Sequence, residues 1–153
     1  MKLKLTPADK KFSNCVRERS NWTCDYNGTV FAEAQITKKT KGLHCSHWKG
    51  RGNWAVRFEP LNAFSHSYGS HQLLGSNQDG KFDRWVEEFL GKERKEIVEE
   101  LAQCTKRGRE YRKANKGRGK NNALLEHYTK ELDRMIEMRN DGHQGRIDFV
   151  AFI

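Results

Sequence analysis

Two histidines and an asparagine, His47, Asn62 and His71, stand at intervals that could bring them together. A short hairpin carrying the first two, followed by the first turn of a helix carrying the third, would let their side chains converge. Hydrolysis of an ester needs an activated water, relief of charge on the oxygens around the attacked atom and help for the leaving oxygen. A neutral imidazole can activate the water because its ordinary pKa lies near neutral pH, and one divalent ion can supply the other two requirements.

Two arginines, Arg51 and Arg57, belong to the same stretch. A guanidinium matches a phosphate with two parallel hydrogen bonds, so contact with a DNA backbone or support of a transition state is the functional interpretation. The alternative is a surface arginine paired with Glu59, which would contribute little to stability.

The segment from Leu43 to His71 resembles an HNH, or ββα-metal, nuclease centre, and more narrowly the phage NinG/Rap family of recombination endonucleases. Segments 9–24 and 82–91 also look like that family, so the resemblance covers about residues 9–101. It implies an α+β fold with a small HNH core and flanking helices. The residues that match within the core are Ser46, His47, Arg51, Arg57, Asn62 and His71.

The resemblance also implies a role for each of three matched residues. His47 would be the general base, and Asn62 would hold the hairpin loop so that this imidazole points correctly. His71 would bind the metal ion, Mg²⁺ or Mn²⁺. The alternative is that His47 and His71 are ordinary histidines of a histidine-rich segment, since His44 and His66 are close in sequence.

The second metal ligand differs from the usual one. HNH enzymes often carry an aspartate just before the base, and here that position is Ser46, as in the NinG-like pattern. A hydroxyl is a poorer ligand for a hard ion than a carboxylate, so another acid is needed or the ion keeps several waters. Asp79 and Asp83 follow His71 closely, and we assign Asp83 to the metal site.

The resemblance departs from the family at the positions that would bind zinc. NinG-like proteins commonly show two Cys-x-x-Cys pairs, which suit tetrahedral zinc. Only one of the four cysteines is present, so we do not expect a structural zinc. A rewired site using Cys15, Cys24 and Cys45 with a histidine is the alternative, and small buried apolar side chains are the simpler interpretation. The four corresponding positions are Cys24, Asn27, Ser67 and Ser70.

Local patterns predict the elements that would position this site. Thr6-Pro7-Ala8-Asp9 is a good helix start, because a threonine can cap and proline suits the first turn. Alternating apolar residues at 30–36 and the run at 54–58 predict strands, the second closed by Pro60. The other expected elements are a strand at 43–47 and helices at 70–74, 82–90 and 93–104.

The last third of the chain is strongly basic and then apolar. Segment 106–120 is either a flexible linker or an arm that orders on nucleic acid. An amphipathic helix at 124–140 follows, and the apolar tail 147–153 should pair as a strand, pack on the core or meet a partner. We therefore divide the chain into an HNH-like nuclease domain, 1–104, and a C-terminal extension, 105–153. The residues that we expect to bind DNA are Arg107, Arg109, Arg112, Lys113, Lys116, Arg118 and Lys120.

Composition agrees with a polyanionic partner. The 153 residues carry 29 Lys and Arg against 20 Asp and Glu, a net charge of +9. A basic balance favours DNA because each phosphate contact releases condensed counterions. There is no apolar run long enough to span a membrane and no secretory h-region, and the four scattered cysteines suit a reducing compartment. We expect a cytoplasmic protein, by resemblance a phage protein acting in its host.

The main hypothesis is a metal-dependent DNA endonuclease that acts on branched recombination intermediates, with a possible homodimer formed through the helix around Tyr128 and the apolar tail. The second is a degenerate HNH scaffold that binds DNA or a host protein without cutting. The third is a homing or nicking enzyme with sequence specificity. Loss of cutting in His47→Ala would separate the first two.

Overall fold

The computed structural model describes residues 3–153, which form seven α-helices and a two-stranded antiparallel sheet. The α+β class is confirmed. The strands are β1 (Leu43–His47) and β2 (Ala63–Ser67). The helices are α1 (Pro7–Arg19), α2 (Ala32–Thr37), α3 (Tyr68–Gly75), α4 (Lys81–Leu90), α5 (Lys92–Ala102), α6 (Thr105–Ala114) and α7 (Ala123–Asn140). Within the described residues, none of these helices has the length and apolar character needed to cross a membrane.

The hairpin and the following helix form one continuous ββα unit. Leu43 pairs with Ser67 and His47 with Ala63, so the connecting segment 48–62 leaves from the end of β1 and returns at the start of β2. Helix α3 begins at Tyr68, directly after β2. Helix α3 therefore starts beside Leu43, at the opposite end of the hairpin from the connecting segment, and its His71 contacts Ser46 of β1.

Helix α1 begins as its sequence predicts. The Thr6 side chain accepts a hydrogen bond from the backbone N–H of Asp9, and the Asp9 carboxylate accepts one from the backbone N–H of Thr6. This reciprocal cap satisfies two backbone donors that a helix start otherwise leaves free. Phe12 and Val16 are buried on one face of the helix, as their spacing predicts.

Two predicted strands are not strands in the structure. Segment 30–36 forms α2 instead, because Ala, Glu and Gln favour a helix and only Val30 makes an isolated bridge, to Thr23. Segment 54–58 forms successive turns. The Asn53 side chain accepts a hydrogen bond from the N–H of Ala55 and so starts these turns. The apolar run that predicted a strand does not take such a local hydrogen bond into account.

The basic segment is not a flexible linker, since Thr105–Ala114 forms helix α6. Tyr111 is fully buried. Gly108 packs against the backbone of Trp54 and Ala55. A Cβ at Gly108 would lie 3.3 Å from the backbone nitrogen of Ala55, so glycine permits the close approach of α6. This helix packs through Gly108 and Tyr111, and the many charged residues around them made this apolar face hard to recognise in the sequence.

One core joins the two parts into which we divided the chain. Phe12 and Phe58 pack against Tyr128 and Phe149, and the Tyr128 hydroxyl donates to the carbonyl of Phe58 at 2.7 Å. The division at residue 104 therefore does not separate two cores. The apolar tail packs on this core, with Ile147 and Phe149 buried.

Candidate functional site

His47 is held at the end of β1 in one orientation. Its Nε2 lies 2.9 Å from the carbonyl oxygen of Arg57. A carbonyl only accepts, so Nε2 carries the proton and Nδ1 keeps a free electron pair. Nδ1 is buried and has no hydrogen-bond partner among residues 3–153. Burial, reinforced by the nearby charge of Arg51, lowers the pKa of His47 to about 3. The imidazole is therefore neutral at physiological pH.

Asn62 ties together the segment that follows His47. Its side-chain oxygen accepts from the N–H of Lys49 at 2.8 Å. Its Nδ2 donates to the carbonyls of Lys49 at 2.8 Å and Val56 at 3.0 Å. The side chain is fully buried and therefore depends on these three bonds. This geometry is the one that the resemblance implies for an asparagine that holds the loop.

Ser46 and His71 meet on the face of β1 opposite to His47. The Ser46 Oγ and the His71 Nδ1 are hydrogen-bonded at 2.6 Å, which joins the strand to α3. The His71 ring also stacks on the ring of His44, with centroids 5.0 Å apart. His47 instead lies near Phe12 of α1, because successive residues of a strand point to opposite faces.

Of the residues that we assigned to the metal, Ser46 and His71 lie side by side, whereas Asp83 is bonded elsewhere. Within the part of the chain that the structure describes, no three His, Cys, Asp or Glu side chains are arranged to hold an ion. The Asp83 carboxylate accepts from the indole nitrogen of Trp48 at 2.6 Å, and this bond lowers its pKa. One imidazole and one hydroxyl, His71 and Ser46, include no carboxylate, whereas a hard cation that keeps several waters is normally held by one or two carboxylates. The donor set therefore does not fit a resident Mg²⁺ or Mn²⁺.

The two arginines of the site have different surroundings. Arg57 is buried and forms two hydrogen bonds to Asp9, at 2.9 and 2.8 Å, so its partner is not Glu59 and it is not available to a phosphate. Although burial opposes ionisation of Asp9, the hydrogen bonds from Arg57 and Thr6 lower its pKa overall. Arg51 makes only a long contact, 3.5 Å, to a backbone carbonyl.

A cavity of about 440 Å³ lies between α1, β1 and α3. Arg51, His44 and His71 line it together with Lys10 and Arg17 of α1. We did not predict the roles of His44, Lys10 and Arg17 from the sequence. Lys10 and Arg17 lie seven residues apart, with Asn14 between them at a helical interval, and this polar stripe on α1 is the signal that could have identified them.

The four positions that correspond to zinc ligands in NinG-like proteins do converge. The backbone N–H of Ser67 donates to the Cys24 sulfur at 3.2 Å, and the Ser67 and Ser70 hydroxyls are 3.0 Å apart. The Asn27 amide donates to the Ser67 hydroxyl at 3.3 Å. A hydrogen-bonded cluster therefore joins the turn at residues 24–27 to the start of α3.

The rewired zinc site that we considered is not formed among the described residues. Cys15 and Cys45 belong to the main core, whereas Cys24 packs in a separate cluster with Trp22 and Leu43. The three cysteines are buried, as their interpretation as small apolar side chains predicts.

The seven basic residues that we expected to bind DNA divide into one internal arginine and an exposed group. Arg107 is buried, where it donates to Glu59 at 2.6 Å and to the carbonyls of Ala55 and Ile153. It is therefore part of the core and not available to DNA. The exposed group, which we call the α6 basic surface, consists of Arg109, Arg112, Lys113, Lys116, Arg118 and Lys120.

Comparisons with known proteins identify no relative of this chain. No family model matches the sequence, and neither a curated protein nor a solved structure gives a significant match. The resemblance to NinG-like nucleases therefore depends on the residues and geometry described above.

Proposed function

We propose that this chain is a DNA endonuclease that hydrolyses phosphodiester bonds on a ββα scaffold. The observation that carries the proposal is the orientation of His47. Its Nε2 is held by the carbonyl of Arg57, its Nδ1 keeps an electron pair, and Asn62 closes the segment that supplies this carbonyl. Ser46 and His71 meet on the opposite face of the same strand.

In the proposed reaction, Nδ1 of the neutral His47, which is buried in the free protein, takes a proton from a water that substrate binding must bring to it. The water oxygen forms a bond to phosphorus, the bond from phosphorus to the 3′ oxygen breaks, and this oxygen takes up a proton from solvent. Asn62 positions the base and does not contact substrate. Because the donor set does not fit a resident divalent ion, no step of this reaction is assigned to one.

The α6 basic surface and the net charge of +9 support DNA as the substrate. Its side chains suit phosphate contacts, which position a duplex without reading its sequence. By resemblance to NinG-like proteins, we propose that the substrate is a branched recombination intermediate, cut by a phage protein in the cytoplasm of its host.

The proposal is tested with a labelled four-way junction and a duplex of the same sequence, each with Mg²⁺, Mn²⁺ or chelator. We compare the wild type with His47→Ala and with the control His143→Ala, which removes an exposed histidine. We expect the wild type and the control to cut the junction in preference to the duplex. His47→Ala should bind the junction but cut it at least about a hundredfold more slowly. Equal cutting by His47→Ala would refute the role of this histidine.

A second candidate is a protein that binds DNA on the same scaffold without cutting it. Two observations favour it, namely the missing metal ligands and the burial of the His47 Nδ1 atom. It predicts equal junction binding by the wild type and His47→Ala, with no cleavage by either protein under any of the three conditions.

A further inference from the structure

The cavity between α1, β1 and α3 has an unbalanced charge. Lys10, Arg17 and Arg51 bring three fixed positive charges to its wall, and Asp9 is the carboxylate that lines it. Both oxygens of Asp9 already accept hydrogen bonds from Arg57, at 2.9 and 2.8 Å. Asp9 is therefore not free to neutralise the other three cations.

The two arginines of the cavity have unused hydrogen-bonding capacity. The Nε of Arg51 is buried and has no partner within residues 3–153. Arg17 is oriented by bonds to the Leu43 carbonyl at 2.8 Å and to the Asn14 side chain at 2.9 Å. In the described part of the chain, neither arginine forms an ion pair with a carboxylate. Such guanidinium groups are suited to a phosphate.

The same charges oppose a divalent cation. An ion at His71 would face Arg51, Arg17 and Lys10 across one cavity, with the Ser46 hydroxyl and the stacked His44 ring as the neighbouring ligands. The stacked rings of His44 and His71 are nearly parallel, with 6° between their planes, so their in-plane electron pairs do not converge on one point. A phosphate gains attraction where a metal ion would meet repulsion.

We infer that this cavity binds a phosphate group of nucleic acid directly, through Arg17 and Arg51 with support from Lys10, and without a bridging divalent ion. The inference rests on the proposed function for the nature of the ligand. Phosphate binding in this cavity does not itself require that the protein cuts DNA.

The test follows the Nε–Hε resonances of the arginine side chains by NMR, with ¹⁵N-arginine-labelled protein in EDTA. Inorganic phosphate is added against sodium chloride of equal ionic strength. We expect the resonances of Arg17 and Arg51 to shift saturably and that of Arg84, an exposed arginine of α4, to stay unchanged. A shift confined to other arginines, or no shift, would overturn the inference.

Variants check the assignment to this cavity. Arg51→Gln should weaken phosphate binding about tenfold or more, because it removes charged hydrogen-bond donors. Arg84→Gln, with the same change of charge, should have little effect. Lys10→Gln is a second variant at an exposed side chain, which keeps the test valid if Arg51→Gln fails to fold. Unchanged binding in Lys10→Gln and a folded Arg51→Gln would contradict the inference.

Nucleic acid and free phosphate share this chemistry, so a four-way junction is added in a second experiment. Shifts of the same two resonances by the junction in EDTA support the inference, whereas shifts by inorganic phosphate alone assign the cavity to a small ligand and overturn it. Shifts that require Mg²⁺ or Mn²⁺ overturn it as well. Phosphate and junction binding without any cleavage would retain the inference and reject the proposed catalysis.

Discussion

His47 and His66 belong to the same hairpin but have different surroundings. His47 donates to a backbone carbonyl, which orients its ring. His66 is fully buried between Phe82 and Trp85, and neither of its ring nitrogens has a hydrogen-bond partner in the described residues. A neutral imidazole always carries one N–H, so His66 leaves a buried donor unsatisfied, which costs stability.

We predict that His66→Phe stabilises the protein by about 1–3 kcal/mol at pH 7, because it removes this buried donor. Burial lowers the pKa of His66 from its ordinary value of 6.5 to about 3. Between these values the unfolded state binds a proton that the folded state does not, so stability falls as pH falls from about 6.5 towards 3.

The measurement is urea unfolding at pH 7, 6 and 5. The wild type should lose stability towards pH 5, and His66→Phe should lose less by the contribution of one proton. The control, His143→Ala, should follow the wild type because His143 is exposed. Parallel pH profiles for the wild type and His66→Phe would show that His66 titrates normally in the folded protein.

At the scale of an element, α6 combines a structural face and an exposed charged face. Arg107 lies inside and pairs with Glu59, whereas Arg109, two residues later, is exposed. Helical geometry explains the difference, since Arg107 shares a face with Tyr111, four residues on, and Arg109 does not.

We predict that two substitutions in this helix affect different properties, one the stability and the other the binding of DNA. Arg107→Ala should lower the free energy of unfolding by about 3–5 kcal/mol, because it leaves Glu59 buried without its partner. Arg109→Ala should change stability by less than about 0.5 kcal/mol and weaken junction binding, with a shallower dependence of affinity on salt. Urea unfolding and binding at several salt concentrations measure the two effects. An Arg109→Ala protein with unchanged affinity and salt dependence would remove Arg109 from the proposed DNA surface.

A hydrogen-bonded cluster also connects two elements, the turn at 24–27 and the start of α3. Cys24, Asn27, Ser67 and Ser70 hold two elements together by hydrogen bonds. In proteins with four thiolates at such positions, a zinc ion would make this connection.

We therefore predict that Asn27→Cys, Ser67→Cys and Ser70→Cys together create a zinc site with Cys24. One Zn²⁺ per chain should bind and raise the melting temperature, because binding to the folded state alone stabilises it. Co²⁺ absorption spectra would report thiolate ligation. The matched control carries Cys24→Ser as well and should bind far more weakly. Absence of stoichiometric binding in the triple variant would show that the four positions do not form a tetrahedron.

At the scale of the whole molecule, the first and last segments form one structure. Helix α1 packs along α7, and the backbone N–H of Ile147 donates to the carbonyl of Arg19 at the end of α1. The buried Phe149 then contacts Phe12. The tail thus covers the helix whose other side lines the candidate cavity.

We predict that Phe149→Ala lowers the free energy of unfolding by about 3–5 kcal/mol, because it opens a cavity in the shared core. The neighbouring Val150 is 64% exposed, so Val150→Ala should cost less than about 0.5 kcal/mol. Urea unfolding compares the two. Equal small effects would mean that the tail does not pack on the core in solution.

The sequence by itself determined the elements whose signals are local. The sequence did not locate β2, but the cap of Thr6 and Asp9, the apolar faces of α1 and α4, and the strand at 43–47 follow from spacing and residue type. These features need no knowledge of distant neighbours.

Only the tertiary structure decided which charged residues are free. Arg57 and Arg107 look like their neighbours in the sequence, yet each is buried on a carboxylate 48 residues away. Arg17 and Lys10 have no catalytic pattern, yet they face the cavity with Arg51. The physical reason is that the pairing of a charge depends on which segments pack against it. Local spacing specifies helices and strands, but not the partners that long-range packing brings to each side chain.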